Sequence, residues 1–222
     1  MDTKMIANGL ILYLGLVILL TFHEFGHAWM AWKCGDDTAR LLGRVSLNPL
    51  VHIDLIGTVI MPLAMIYLSL SGSSLSGFLV GWAKPVPVNP NKLRNRRWDD
   101  IWVTLAGPWM NLLLAVVLMG LARVGIMAHS DNMVTFCINM ARISLLLFFF
   151  NLIPIPPLDG SHVARNLLGI SYEAYFRVAR YGFVILILVL QIAVVRDTLY
   201  DVTTKSQGII ADWVGVPRSL TV

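Results

Sequence analysis

The chain has 222 residues, of which 57% are hydrophobic and 14% charged, and its mean hydropathy is +0.71. A soluble domain carries about 25% charged residues and cannot hide this much apolar surface in one core, which excludes disorder, a disulfide-stapled secreted domain and a coiled coil and implies a lipid solvent. The net charge is +4, but the 17 Lys and Arg residues sit between apolar runs, as in membrane loops and not as on a nucleic-acid surface, and Cys34 and Cys137 form no paired-cysteine motif.

Five apolar runs follow in order. Met5–Trp32 is apolar except for a polar knot at Thr21–His27. Ile53–Leu70 contains Pro62, Ile101–Leu121 contains Gly107-Pro108, and Val134–Ile155 ends in prolines. Tyr175–Val195 is the last run long enough to span. Each approaches the roughly 20 residues a membrane helix needs. The predicted fold class is an all-α polytopic membrane protein with about five transmembrane helices. Residues 1–198 are read as one core and 199–222 as a short tail.

Eleven of the 17 basic residues fall in the segments 33–52, 84–98 and 159–180. The positive-inside rule places all three in the cytoplasm of a multi-pass protein of the cell membrane. One crossing by 53–70 cannot keep 33–52 and 84–98 on the same side. The Gly-, Ser- and Pro-rich stretch 71–88 must supply the return, and it is a poor helix. A re-entrant or extended segment is predicted there, tolerated at membrane depth where protein or a water-filled cavity covers it.

The sharpest motif is His23-Glu24-Phe25-Gly26-His27. On a helix, His23 and His27 lie at i and i+4 on one face and can share one Zn²⁺. Glu24 beside them can take a proton from water. Such zinc sites commonly use three protein ligands. Asp159 ends a proline-broken segment on the same predicted side as the two histidines. It can equally serve as an N-cap for the helix that follows. His52 and Asp54 open the next run on that side and are alternative ligands or supports for the ligands.

HEFGH in an early apolar helix, Ala106-Gly107-Pro108-Trp109-Met110-Asn111, and Asn151 followed by Pro157-Leu158-Asp159-Gly160 together resemble the site-2 proteases, which are intramembrane zinc metalloproteases. The resemblance extends to Leu42-Gly43-Arg44, Leu47-Asn48-Pro49, His52-Ile53-Asp54 and Gly81–Pro87, and is to a minimal form without a PDZ insert or an appended regulatory domain. It implies one zinc per chain on His23, His27 and Asp159, with Glu24 as general base and Asn151 as a donor to the substrate carbonyl or its oxyanion. Asn111 matches a second family asparagine, or packs helices together through its amide. Trp82, Lys84 and Pro85 match a substrate-facing extended loop. The implied substrates are transmembrane proteins in the bilayer, cut near its cytoplasmic side. Intramembrane His, Glu and Asp also mark ion pathways, so a divalent-metal transporter is the alternative, with a non-catalytic scaffold behind it. Oligomeric state is not read from the sequence.

Overall fold

The computed structural model of the chain describes residues 3–70 and 82–221. Among these residues every regular element is helical. The first helix, α1 (Thr3–Lys33), runs unbroken through the HEFGH motif. A short helix, α2 (Thr38–Leu41), and a 3-10 turn at Pro49–Val51 follow. The next apolar run opens as a π-helical stretch, Leu55–Ile60, and continues as α3 (Met61–Leu70). Then come α4 (Trp98–Met127), α5 (Asp131–Asn151), α6 (Asp159–Leu168), α7 (Tyr172–Ala179), α8 (Gly182–Gln191) and α9 (Ala193–Val214).

Among the described residues three helices are long and apolar enough to cross a membrane: α1 from Gly9, α4 and α5. The pair α8 and α9, bent by 82°, makes a fourth if it counts as one span. Among the described residues the count is therefore three or four, beside the about five that the apolar runs suggested. The run Tyr175–Val195 is not one helix. It stops after Ala179, restarts at Gly182, and ends where Ile192 takes an extended conformation (φ −72°, ψ 116°). Residue 199, taken as the start of the tail, lies inside α9.

Of the predicted re-entrant stretch 71–88, residues 71–81 lie outside the described residues. Residues 82–88 form neither helix nor strand, with Trp82 N–H donating to Gly57 O (3.1 Å) and Lys84 N–H to His52 O (2.9 Å).

α4 is the central post: α1, α5, α6 and α9 all pack against it. The largest core lies between α4, α5 and α9, where Ala115, Met119, Ala122, Ala141, Leu145 and Ala211 are fully buried. Alanines at these contacts let backbones approach closely, as helices in lipid require. Outward faces stay apolar, with Leu14, Ile18, Leu113, Val117, Val184 and Leu188 exposed, and so are all seven tryptophans. That distribution is the inverse of a soluble protein's and fits a lipid surround.

Arg142 on α5 reads from the sequence as a residue that snorkels to headgroups. Its Nε instead donates to Gln207 Oε1 (3.0 Å) and its Nη2 to Thr221 O, which fastens α9 and the chain beyond it to α5. Gln207 is fully buried and donates in turn to Ile138 O (2.9 Å). Arg142→Met is expected to destabilise the protein by about 1.5–3 kcal/mol, the range for a lost charged hydrogen bond. Thermal unfolding in detergent checks this, and zinc stoichiometry is expected to stay unchanged.

Candidate metal centre

The centre forms where α1 crosses α4. Gly26 makes the crossing close: a Cβ there would lie 2.7 Å from Ala106 O and 2.7 Å from Met110 Cγ. On the facing turn of α4, a Cβ on Gly107 would overlap His27 Nε2. The glycines of HEFGH and of the Gly107-Pro108 pair thus make room for two imidazoles between two helices. Pro108, buried in the same turn, has no N–H to give to Thr104 O.

Both rings are held by their Nδ1 atoms. His27 Nδ1 lies 2.8 Å from Val103 O, so it carries the proton and donates it. His23 Nδ1 lies 3.1 Å from Nδ2 of Asn111, a fully buried residue whose Oδ1 has no partner, and exchanging the two amide positions turns the oxygen to the ring. With the amide oxygen turned to that ring, Nδ1–H is the donor there as well. The two Nε2 atoms then present lone pairs to one another across 3.0 Å.

The third arm comes from 132 residues further along the chain. Asp159 is the first residue of α6, and Leu158, not Asp159, holds the N-cap position. Asp159 Oδ2 sits 3.2 Å from His23 Nε2 and 3.4 Å from His27 Nε2, and it is buried without a hydrogen-bond partner. A Cβ on Gly160 would overlap the carbonyl of Leu152, so this glycine lets α6 start hard against the preceding turn.

Among the described residues, His23, His27 and Asp159 form the group with metal-ligating atoms gathered within 4.8 Å. Three acceptors cannot stay this close in a largely buried site without a cation or a shared proton between them. A tetrahedral zinc site with bonds of about 2.0–2.1 Å needs donor–donor edges of about 3.3 Å. The observed edges of 3.0, 3.2 and 3.4 Å match that triangle. Two imidazoles and a carboxylate are also a zinc-binding donor set.

The comparisons with known proteins agree with this geometry. The profile of peptidase family M50 matches residues 11–127 and 121–191. The chain belongs to peptidase family M50. This is the site-2 protease family that the motifs resemble. YwhC of Bacillus subtilis, named as a zinc metalloprotease, is 35% identical over 185 residues, covering 80% of this chain and 78% of that protein. Rip2 of Mycolicibacterium smegmatis, named likewise, is 32% identical over 181 residues, 79% of this chain and 64% of its own length. Rip2 of Mycobacterium tuberculosis is 31% identical over 146 residues, 66% and 52% of the two chains. No solved structure matches.

In this M50 peptidase the other residues singled out by sequence hold varied places. Glu24 lies beside His23 on α1, and its Oε2 accepts the N–H of Val86 at 3.1 Å. Asn151 closes α5, with its amide nitrogen donating to Leu147 O (2.9 Å) within that helix. His52 is buried and its Nε2 faces Ser46 O at 2.8 Å; burial pushes its pKa down and keeps it neutral. Asp54 caps the π-helical stretch, accepting from Ile56 N (3.1 Å) and Gly57 N (2.7 Å). Neither belongs to the triad. Both support the segment 82–88, whose Lys84 bonds to His52 O and whose Trp82 bonds to Gly57 O and packs its ring on Gly57. Pro85 O accepts from Arg44 (3.1 Å), as does Lys84 O. Arg44 entered the motif reading only as part of Leu42-Gly43-Arg44, with no role assigned, and Val103 did not enter it. Arg44 reads as one more inside charge, and Val103 acts through a carbonyl that no side chain announces.

Gly107→Ala is expected to abolish zinc binding, because the added methyl falls on the histidine ring. Asn111→Leu, nearly the same size, is expected to weaken zinc binding by about 10–100-fold by untethering His23. Metal counting and chelator competition on the purified chain check both.

Proposed function

We propose that the chain is a zinc endopeptidase of the HExxH type that cuts membrane-protein substrates in or near a transmembrane segment. The observation that carries this reading is the triangle of His23 Nε2, His27 Nε2 and Asp159 Oδ2, with the Glu24 carboxylate on the same helix beside it. His23, His27 and Asp159 are the residues that would hold one Zn²⁺. Bound there, zinc supplies Lewis acidity, lowering the pKa of water and polarising a carbonyl. Glu24 is the general base: its carboxylate takes the proton of the attacking water and returns it to the leaving amine nitrogen. Val86 N–H, held on Glu24 Oε2, keeps that carboxylate oriented. Asn151 is assigned as a donor to the substrate carbonyl, a role in which its amide leaves Leu147 O.

Asn111, Gly107 and the α1–α4 crossing close the triad on the α4 side. A substrate helix must unwind before its carbonyl can be attacked, because each carbonyl of an intact helix already accepts a hydrogen bond. The segment 82–88 offers the substrate an edge close to Glu24. Membership of a peptidase family leaves the metal-transporter and scaffold readings without support. The site is assigned to the cytoplasmic side, on the clustering of Lys and Arg at 33–52 and 84–98.

Glu24→Gln is expected to lose cleavage of a reconstituted membrane substrate by at least about a thousandfold while keeping one zinc per chain. Asp159→Ala is expected to lose the metal as well. Normal turnover by the Glu24 variant would sink the assignment. A single cysteine at exposed Asn91, with Cys34 and Cys137 replaced by alanine, is expected to react with an impermeant maleimide from the cytoplasmic side only.

A further inference from the structure

The third arm of the triad has its own anchor. Asp100, in the first turn of α4, is 7% exposed, and Arg165 on α6 is 3% exposed. Arg165 Nη2 donates to Asp100 Oδ2, and Asn166 Nδ2 donates to the same oxygen at 2.6 Å. Arg165 also donates to Asn166 Oδ1 (3.0 Å), and its guanidinium lies 3.9 Å above the Tyr172 ring and 5.7 Å from that of Tyr175. A planar guanidinium stacked on one side and bonded on its edge has little freedom to move.

Stability alone gives a weak account of this pair. Burying two charges carries a desolvation penalty that apolar residues of similar size would avoid. Fixed geometry is what such a pair provides. Arg165 and Asn166 follow Asp159 by six and seven residues on one ten-residue helix, a lever of about 9–10 Å. A tilt of about 2° at that radius moves the Asp159 carboxylate by about 0.3 Å, and metal ligation tolerates about 0.2 Å. The near end of α6 is seated by Gly160 on Leu152 and by Ser161 Oγ, which bonds Leu158 O (2.6 Å) and the Tyr175 hydroxyl (3.0 Å). The far end is seated by Asp100.

Asp100 also falls in a revealing register. Asp100, Val103, Gly107 and Asn111 follow at steps of three, four and four, which is one stripe of α4. Val103 holds His27, Gly107 makes room for both rings, and Asn111 holds His23. We propose that Asp100, acting through Arg165 and Asn166, is the positioning residue for the third ligand, so that one stripe of α4 sets all three arms of the metal site while contributing no ligand. This rests on the assignment of His23, His27 and Asp159 as ligands.

The test uses the full chain purified in detergent, loaded with Zn²⁺ for chelator competition and with Co²⁺ for visible absorption. Asp100→Asn and Arg165→Lys are each expected to weaken zinc binding by about tenfold or more. They are also expected to change the intensity and position of the Co²⁺ bands, which report the arrangement of ligands. Asn166→Ala, a milder change at one of two donors, is expected to shift both in the same direction and by less. Should Asp100→Asn fail to fold, Asn166→Ala decides alone. Wild-type zinc affinity and Co²⁺ spectra in the variants, with only the melting temperature of the metal-free protein lowered, would make the pair a plain fold contact and overturn the proposal. A wild-type chain that binds no zinc would instead sink the ligand assignment itself.

Discussion

Lone pairs that converge in a largely buried site repel one another, and this repulsion organises the rest of the molecule. His23 Nε2, His27 Nε2 and Asp159 Oδ2 lie 3.0–3.4 Å apart, with the carboxylate oxygen lacking any hydrogen-bond partner. No arrangement of side chains in water would hold them so. They stay together because each arm is fixed from behind: Val103 O and Asn111 turn the ring protons away from the centre, and the start of α6 is packed against Leu152. The fold holds a frame in which a divalent cation, or a shared proton, would resolve the conflict.

α4 does most of this holding and gives no ligand. Its face toward α1 and α6 carries the glycine gap, the carbonyl and the amide, and its opposite side packs on α5 and α9. The two sides are joined at one residue, since Ser144 of α5 donates to the backbone carbonyl of Asn111 at 2.6 Å. A helix packed this way on several partners is a rigid support, and metal geometry at tenth-ångström tolerance needs one.

Much of the site was legible in the sequence because its parts are local. The i, i+4 histidines, the glutamate between them and the apolar run around them occupy one helix and need no long-range information. By residue chemistry alone Asp159 was one of several acidic or imidazole candidates on one predicted side of the membrane, and the family resemblance singled it out. The choice depends on where His52 and Asp54 point, and local bonds decide that: His52 toward Ser46 O, Asp54 onto the N–H groups of the turn it caps. Asp100 and Arg165 were invisible as a pair, since 65 residues separate them and each reads as an ordinary loop charge. Among the described residues three helices, or four with the bent pair α8 and α9, are long and apolar enough to span. Within the run Tyr175–Val195 the break at Ile192 is made by backbone dihedrals that an isoleucine does not advertise.

The segment 82–88 raises the remaining physical question, how non-helical backbone survives beside a membrane-buried site. Every donor or acceptor left open there costs several kcal/mol. The chain answers residue by residue. Trp82 N–H and Lys84 N–H go to carbonyls of Gly57 and His52, Trp82 O accepts from Thr58 Oγ1 (2.8 Å), and Arg44 covers the carbonyls of Lys84 and Pro85. Asn89 N–H is taken by buried Asp36 at 2.6 Å. Pro85 and Pro87 have no N–H to satisfy, so the alternation Lys-Pro-Val-Pro removes donors at every second position. Val86 N–H, between the two prolines, goes to Glu24. The same rule that forbids loose backbone at membrane depth thereby ties the segment to the carboxylate next to the histidines, and the position of Glu24 is coupled to the bonding needs of a segment about 60 residues away.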